Sequence, residues 1–294
     1  MRRGRIGRIA RHARVKQPQP GQLRFRFHAS NQTGSAYGHA LTQVKISAAE
    51  AALIQQVPCG ACLIRHRAVC AACEADDLHE LELAKYYRRF EPGQMVAHAG
   101  ERMDFVGSVV SGVAGLTQTL EDGRTQMVGM LLPSDFLGRP GRDSSPYDVT
   151  ALSDLLLCCF RRRPFEELLR SRPRVSARLL EMTLDDLDAA RDWLLLLGRK
   201  SARERIASFL AVLVRRAAML GQATGAGPIV IDLPLTREAI ADYLGLTLET
   251  VSRQISALRR EGVIVLEGTR RVIVPDFRRL VTESGDDADG GLPG

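Results

Sequence analysis

The first 49 residues contain no Asp or Glu, whereas ten Lys and Arg residues lie among them. The whole chain of 294 residues carries a formal charge of +7, so subtracting these ten positive charges leaves −3 on residues 50–294. A basic overall charge is therefore weak evidence that the rest of the chain binds nucleic acid. A DNA-binding function has to be argued from motifs instead.

The basic stretch also offers few apolar residues for burial, and Gln, Pro and Gly interrupt it. We therefore expect residues 1–45 to form a disordered basic extension. Three interpretations stay open. In the first, the gene start has been placed too far upstream. In the second, the segment is a solvated arm that adds non-specific attraction to phosphates, and in the third it is an organelle transit peptide.

Long apolar runs are missing. No stretch approaches the ~20 apolar residues that cross a bilayer, and no apolar signal core follows the charged N-terminus. We expect a cytoplasmic protein without membrane contact. In that reducing compartment, clustered cysteines more often bind a metal than form disulfides.

Enzyme motifs are missing as well. No Gly-rich dinucleotide loop follows a predicted strand, and no nucleophile and base are spaced for catalysis. The six histidines show no metal-ligand spacing; they are His12, His28, His39, His66, His79 and His98. The sequence therefore predicts that the chain is not an enzyme.

Six cysteines are present, and four of them lie close together in the sequence. These four form a C-x2-C-x7-C-x2-C pattern, at Cys59, Cys62, Cys70 and Cys73. Such spacing can gather thiolates around one metal centre, and by itself it indicates a local four-cysteine metal knuckle. The other two, Cys158 and Cys159, are adjacent, so a strand places them on opposite faces. A disulfide between them is disfavoured because vicinal disulfides are strained.

The order of elements predicts an α+β protein. After a cysteine-rich segment at residues 57–75, residues 76–170 show short apolar runs between turn signals, which predicts an N-terminal antiparallel β-roll as a sensor domain. Residues 173–199 form one long predicted helix, and residues 200–280 form a C-terminal domain. The acidic, Gly-rich residues 281–294 are predicted to be a disordered tail.

An apolar stripe runs along the long predicted helix. Leu180, Leu187 and Leu194 recur every seven residues, and Thr183, Ala190 and Leu197 follow three positions later. The stripe is narrow and has charged flanks. We therefore predict a homodimer whose seam contains Leu180, Leu187, Ala190 and Leu194. An ordinary core-facing helix is the alternative.

Residues 235–262 carry the strongest motif of the chain. Thr236 and Thr247 are placed to cap two helices that a turn at Gly245 joins, as in a helix-turn-helix. Residues 263–266 and 271–274 then form a β-branched hairpin that suits a wing. The C-terminal domain is therefore predicted to be a winged helix-turn-helix that binds DNA.

The second helix of this motif has two faces. At 100° per residue, Glu249, Ser252 and Arg253 share one face near its N-terminus, and the apolar residues share the other; these are Leu248, Val251, Ile255 and Leu258. In a major groove, Arg can donate two hydrogen bonds to guanine and a carboxylate can accept from cytosine. A solvated helix face with a Glu249 to Arg253 ion pair is the alternative.

Together these segments resemble the CRP/FNR superfamily of bacterial transcription regulators, and more closely its FNR branch of oxygen-sensing iron-sulfur activators with the FnrL-like members. The resemblance covers about residues 57–280. It rests on the cysteines, on Ser-Asp-Phe-Leu-Gly at 134–138, on Leu-Leu-Leu-Leu-Gly-Arg-Lys at 194–200, and above all on Tyr-Leu-Gly-Leu-Thr-Leu-Glu-Thr-Val-Ser-Arg at 243–253.

The resemblance implies a 4Fe-4S cluster. Its ligands, carried over by position, are Cys59, Cys62, Cys70 and Cys158. The gap before Cys70 is longer than in some family members, and Cys73 or Cys159 could replace a ligand. The resemblance also implies that the cluster favours dimerisation and that oxygen-driven loss of the cluster inactivates the protein.

The resemblance further implies that Glu249, Ser252 and Arg253 read a palindrome of TTGAT and ATCAA half-sites separated by four base pairs, and that loops of the roll contact RNA polymerase. Residues 138–147 contain prolines and lack the phosphate-binding pattern of the nucleotide-binding relatives, so we expect no cyclic nucleotide. The alternative function is a helix-turn-helix regulator whose cysteines form a structural zinc site or a thiol-redox site.

Overall fold

The computed structural model describes residues 57–219 and 227–286. The predicted basic extension at residues 1–45 and the last part of the predicted tail, residues 287–294, lie outside these ranges. No helix of the described residues is both long and apolar enough to cross a membrane.

Eight antiparallel strands form the N-terminal roll, which follows helix α1 at Ala75–Ala84. The strands, β1 to β8 in chain order, are Lys85–Phe90, Met95–Ala97, Phe105–Ser111, Ala114–Thr119, Thr125–Leu131, Phe136–Leu137, Asp148–Ala151 and Leu155–Arg161. They make two four-stranded sheets with the orders β1-β8-β3-β6 and β2-β7-β4-β5. Apolar side chains from both sheets, including Phe105, Val149 and Leu157, fill the space between them.

The turn between β3 and β4 depends on a glycine. Gly112 has φ +80°, and a Cβ on it would stand 2.0 Å from the carbonyl oxygen of Asp154. Only glycine fits both the positive φ and this close approach. The turn thereby holds the start of β4 against the loop that leads into β8.

Two helices follow the roll, α2 at Arg162–Ser171 and α3 at Pro173–Arg199. Pro173 occupies the first turn of α3, where its missing N–H and fixed φ cost nothing. The predicted long helix is therefore confirmed, residue for residue. Val175 near the start of α3 and Leu196 near its end are buried. One face of the helix therefore packs against the rest of the chain at both ends.

Helix α4, Ala202–Met219, begins with a reciprocal cap. The Glu204 N–H donates to Ser201 Oγ at 3.4 Å, and the Ser201 N–H donates to Glu204 Oε2 at 2.6 Å. This arrangement satisfies two N–H groups that a helix start leaves free. It places Ser201 at the N-cap position of α4.

The C-terminal domain continues after residue 227. Its elements are β9 Ile229–Asp232, α5 Arg237–Leu244, α6 Leu248–Arg260, β10 Val265–Glu267, β11 Arg271–Val274 and α7 Phe277–Glu283. The sheet order is β10-β11-β9. The wing hairpin is confirmed, but β9, which pairs Ile231 with Val272, was not predicted. We call α4 to α7 with these strands the reader domain.

The prediction that the chain is unstructured from residue 281 is wrong for residues 281–286. Helix α7 extends to Glu283, with Leu280 and Val281 buried. Beyond it, Asp286 accepts a hydrogen bond from Lys200 Nζ at 2.5 Å. The helix persists because its apolar face packs on the reader domain, which outweighs the acidic, Gly-rich composition of the residues that follow.

The roll, α3 and the reader domain meet through apolar, aromatic and hydrogen-bonded contacts. Val113 and Leu132 of the roll belong to the same apolar cluster as the reader domain core. Trp193 of α3 stacks on Tyr243 of α5 with the ring centroids 4.0 Å apart, and Gln126 Nε2 donates to the Asp242 carbonyl oxygen at 2.8 Å. The reader domain is therefore docked on both the roll and α3.

Candidate functional site

The two adjacent cysteines of β8 lie on opposite faces of their sheet. In register, Cys158 stands opposite Tyr87 of β1 and Ser108 of β3. Cys159 is fully buried in the interior of the roll. Cys158 instead packs on the outer face, against the apolar clusters that the N-terminal segment forms with the sheet. Of the two, only Cys158 faces the segment that carries the other cysteines.

That segment, residues 57–73, is called the cysteine segment. It lies over the outer face of the sheet and forms two short 3-10 turns, Cys59–Ala61 and Val69–Ala72. Ile64 and Ala68 are buried between them against Val110 and Leu156 of the roll. Cys62 and Cys70 pack against this same small cluster, as Cys158 does. The fold thus brings cysteines about ninety positions apart in the sequence into one neighbourhood.

Cys59 is held by the start of the roll. Its N–H donates to Glu82 Oε2 at 2.5 Å. Lys85 pairs with Glu82 at 2.8 Å and donates to the Val57 carbonyl oxygen at 2.9 Å. Burial and the hydrogen bond to Glu82 raise the pKa of the Cys59 thiol to about 12. The end of the cysteine segment is therefore fastened to α1 and β1.

The thiols interact electrostatically. Burial raises the pKa of Cys158, and the nearby thiols of Cys59, Cys62 and Cys70 raise it further. Burial and then Cys62 likewise raise the pKa of Cys70 to about 12. Thiolates this close need a compensating cation, and a metal centre supplies one because it binds the deprotonated form. The donor set fits a thiolate-bound metal group.

Cys73 is the remaining alternative ligand in the cysteine segment. It is buried, and burial followed by the charge of Asp77 raises its pKa to about 11.

Among the described residues, no three His, Cys, Asp or Glu side chains converge closely enough to hold a single metal ion. Zinc holds its thiolates at about 2.3 Å from one centre, whereas a 4Fe-4S cluster takes four Cys ligands on a multi-iron body.

The two helices of the reader motif begin at the predicted caps. Thr236 accepts a hydrogen bond from the Ala239 N–H at 3.1 Å, and Thr247 accepts one from the Thr250 N–H at 3.3 Å. Gly245 ends the first helix in the left-handed conformation with φ +60°. These local signals set where each helix begins and where α5 ends.

Glu249, Ser252 and Arg253 are all exposed on α6, whereas Val251, Ile255 and Leu258 are buried. Hydrogen bonds from its own backbone N–H and from Thr247 lower the pKa of Glu249, so the carboxylate is ionised at neutral pH. The assignment of Leu248 to the buried face is wrong, because it is 47% exposed at the first helical position. The three candidate base-reading side chains are free to enter a groove.

The predicted dimer seam is an exposed stripe on α3. Leu180 is 60%, Leu187 is 45% and Leu194 is 72% exposed, and Ala190 is exposed beside them. Leu184 and Leu195 extend the stripe and were not predicted. The stripe lies opposite the inward face of the helix and offers an apolar surface that one chain does not cover.

Leu197 does not belong to this stripe. It packs against the reader domain core together with Trp193. At 100° per residue it lies about 100° from the Leu180 direction, on the inner side of the helix. The sequence placed Leu197 in the apolar stripe with Thr183 and Ala190, and this is wrong. Residues spaced seven apart rotate gradually around a straight helix, so Leu197 has moved to the inner side.

A β-roll joined through a long helix to a winged helix-turn-helix defines a class of DNA-binding transcription regulators. Two family models match the chain. The one described as a Crp-like helix-turn-helix domain matches residues 204–282, and the one described as a cyclic nucleotide-binding domain matches residues 87–172.

Similar proteins narrow the class. The transcriptional activator protein FnrL of Cereibacter sphaeroides is 66% identical over 235 residues, which cover 80% of this chain and 95% of FnrL. The nitrogen fixation regulation protein FixK of Bradyrhizobium diazoefficiens is 38% identical over 208 residues, or 71% of this chain and 86% of FixK. The solved structure of FixK2 from Bradyrhizobium japonicum matches with a TM-score of 0.61 and 32% identity, over 69% of this chain and 98% of that one.

The chain belongs to the CRP/FNR family of transcription regulators, in its FNR branch. Regulators of this family bind DNA and act as dimers, and the chain is not an enzyme. The predicted α+β architecture of roll, long helix and C-terminal helix-turn-helix domain is confirmed. The roles of the individual cysteines and base-reading residues, and the expectation that no cyclic nucleotide binds, stay predictions.

Proposed function

We propose that the chain is an oxygen-responsive transcriptional activator of genes used under low oxygen. In this proposal Cys59, Cys62, Cys70 and Cys158 hold a 4Fe-4S cluster, and the protein binds as a homodimer to a palindrome with TTGAT and ATCAA half-sites. A bound cluster would supply an oxygen-labile redox centre. The similarity to FnrL, a transcriptional activator, supports the direction of regulation.

The observation that carries the proposal is the position of Cys158. Its thiol lies on the outer face of β8, beside the same apolar cluster as Cys62 and Cys70. A ligand set that spans this contact ties the cysteine segment to the sheet. A zinc knuckle made from the segment alone would leave Cys158 without a role and would stabilise only a local loop.

The exposed stripe of α3 is the surface that responds. The cysteine segment packs directly on α3, where Arg178 Nη2 donates to the Arg67 carbonyl oxygen at 2.6 Å. An ordered cysteine segment therefore stabilises α3. A stable α3 in turn favours a dimer that pairs through Leu180, Leu187 and Leu194. Pairing at this stripe sets two α6 helices about 34 Å apart, one turn of DNA, so that each enters one half-site.

Each of the three base-reading residues contacts a different base. Arg253 donates to guanine, Glu249 accepts from cytosine and Ser252 contacts a neighbouring base. Exposed loops of the roll, in the region 112–123, contact RNA polymerase once the dimer is on DNA. Leu120, which is 55% exposed at the tip of the β4–β5 hairpin, gives this loop an apolar contact point.

Anaerobic purification tests the proposal. We expect about four iron and four sulfide per chain, and operator binding in a gel-shift assay that is lost together with the iron after exposure to air. A colourless anaerobic protein that contains zinc, or operator binding that is the same before and after air, contradicts it. An operator with scrambled half-sites is the control for non-specific binding.

A further inference from the structure

The junction between α3 and α4 is short. Helix α3 ends at Arg199 and α4 begins at Ala202, and Lys200 between them is extended, with φ −82° and ψ 142°. Because α3 carries the predicted dimer seam and α4 belongs to the reader domain, the backbone at this point sets the direction in which the reader domain leaves α3. Contacts that fix the junction therefore fix the orientation of the reader domain.

The Lys200 side chain is buried at the junction and pairs with a residue that follows α7. Its side chain is 13% exposed, and that of its partner Asp286 is 11% exposed. The ammonium donates to Asp286 Oδ1 at 2.5 Å and to Ser208 Oγ of α4 at 2.8 Å. A charge held away from water is costly unless an opposite charge lies beside it. Lys200 therefore needs Asp286 to stay in this position.

Asp286 reaches Lys200 because the chain turns back after α7. Gly285 has φ +71°, a left-handed conformation that glycine adopts without strain. Ser284 before it is fully buried, and its hydroxyl donates to Asp286 Oδ2 at 2.8 Å. The carboxylate is therefore held on one oxygen by Ser284 and on the other by Lys200.

Helix α7 is in turn fastened to α4 and to the end of α6. Arg203 Nε of α4 donates to Glu283 Oε2 at 2.6 Å, and Arg203 Nη2 pairs with Glu261 Oε2 at 2.5 Å. Glu261 directly follows α6, the helix that carries the base-reading residues. Charged contacts therefore connect the end of α3, through Asp286 and α7, with the helix that enters the groove.

Arg205 of α4 makes a second set of contacts at the junction. Its guanidinium donates to two carbonyl oxygens at the end of α3, those of Leu197 at 2.7 Å and Lys200 at 3.0 Å. It also donates to the Leu244 carbonyl oxygen at the end of α5, at 3.0 Å. These bonds use carbonyl groups that helix ends leave free. Loss of the Asp286 ion pair should therefore loosen the junction without unfolding it.

Two other carboxylates lie near the Lys200–Asp286 pair. Burial and like charges, Asp286 among them, raise the pKa of Asp192 in α3, and Lys200 acts in the opposite direction. Glu204 of α4 accepts a hydrogen bond from the Ser201 N–H. In the part of the chain that the structure describes, neither carboxylate forms an ion pair with Lys200, whereas Asp286 does. Asp192 therefore offers a matched control.

We propose that Asp286 is a positioning residue for DNA reading. By fixing the junction between α3 and α4 it sets the orientation of each reader domain in the dimer, and this orientation selects the spacing between half-sites. The inference rests on the proposed function only for the half-site sequence. One added base pair moves the half-sites about 3.4 Å further apart and rotates them by about 35°, since a turn holds about 10–10.5 base pairs. A fixed junction tolerates such a change poorly, whereas a flexible junction follows it.

Full-length protein with Asp286→Asn tests the proposal, and Asp192→Asn is the control. Affinity is measured by fluorescence anisotropy at concentrations where sedimentation shows a dimer. The DNAs are palindromes with spacers of three, four and five base pairs and a duplex with a single half-site. The single half-site reports base reading by one reader domain, which does not depend on how the two domains are oriented.

We expect Asp286→Asn to lower the preference for the four-base-pair spacer over the five-base-pair spacer about tenfold, because loss of one partner strongly disturbs a buried ion pair. Affinity for the single half-site should stay near the wild-type value, as should dimer mass. Asp192→Asn should keep the wild-type spacer preference.

An unchanged spacer preference in Asp286→Asn overturns the proposal. So does an equal loss on the single half-site and on the palindrome, since Asp286 would then serve the fold of the reader domain. An equal relaxation in Asp192→Asn also overturns it, because any nearby carboxylate would then have the same effect.

Lys200→Met is the second variant and decides the question if Asp286→Asn fails to fold. It should relax the spacer preference as Asp286→Asn does, and the double variant should be no more relaxed than either single one, because the same contact is lost in all three. Additive effects contradict the pairing. If the wild-type protein does not bind the TTGAT and ATCAA half-sites, the proposed function fails. The spacer series is then built on a half-site selected from random DNA, and it still decides the role of Asp286.

Discussion

The two candidate sites are built in opposite ways. The base-reading face comes from one string of residues, in which Thr236, Gly245 and Thr247 fix two helices by local hydrogen bonds. The cysteine site is assembled from a segment before the roll and from its last strand. The first site is shaped by residues that are neighbours in the sequence, whereas the second exists only while the roll and the cysteine segment stay in contact. A site of the second kind is suited to sensing.

The largest expected effect separates Cys158 from its neighbour. Cys158→Ala should remove iron to background level and abolish operator binding, because the ligand on the sheet is lost. Cys159→Ala removes a buried group from the roll interior and should cost about 1–2 kcal/mol in unfolding free energy while iron is retained. Iron analysis and thermal unfolding of both proteins check this. Equal iron content in the two variants would show that the cysteine segment holds the iron without a ligand from the sheet.

Arg253→Ala tests the contiguous site. Loss of a bidentate contact to guanine should cost about 1–3 kcal/mol in each half-site. Because both half-sites of the operator lose the contact, the total is about 2–6 kcal/mol, or a loss of roughly 30-fold or more in operator affinity. Affinity for a scrambled operator should hardly change, because phosphate contacts do not read sequence. Titration of both DNAs with labelled probes measures the difference. A uniform loss on both DNAs would assign Arg253 to the phosphate backbone.

Gly107→Ala probes how strongly the cysteine site depends on the sheet. A Cβ on Gly107 would stand 2.7 Å from the Cys158 carbonyl oxygen, so β8 must shift. We expect a loss of about 1–3 kcal/mol in stability, as for other overpacked positions, together with lower iron content. Gly129→Ala is the control, because there the nearest atom is the movable end of the Leu116 side chain at 3.1 Å. Iron content that is the same in both variants would show that the site tolerates movement of β8.

The smallest effect concerns a helix cap. Thr247→Ala removes the acceptor for the Thr250 N–H and should lower the unfolding free energy by about 1 kcal/mol, with iron content unchanged. Thr282→Ala, on an exposed helix position away from an N-terminus, should have little effect. Chemical denaturation of both variants measures the difference. If Thr247→Ala also lowered iron content, the two sites would not be independent.

These differences also explain what the sequence could predict. The caps, the glycine turn and the long helix from Pro173 are local, so each could be located from neighbouring residues. Strand β9 was missed because Ile229–Asp232 is short and is stabilised by pairing with β11, far along the chain. The last turn of α7, with the buried Val281, was missed because the acidic, Gly-rich composition after it outweighed a single apolar position.

The cysteine site was only partly predictable. Alternation along a strand placed Cys158 and Cys159 on opposite faces, but β8 is buried on both faces, so its pattern does not reveal which face covers the roll interior. The choice of Cys158 came from the family resemblance. The Lys200–Asp286 pair gave no sequence signal, since the two residues are brought together only by the turn after α7.

The stack of Trp193 on Tyr243 has a spectroscopic consequence. Trp193 is the only tryptophan in the chain, so the intrinsic fluorescence excited at the red edge comes from a single indole at the contact between α3 and the reader domain. Undocking of α5 would expose this ring to water and shift its emission to longer wavelength. The protein therefore carries its own optical reporter of domain docking, and it can be read without any label.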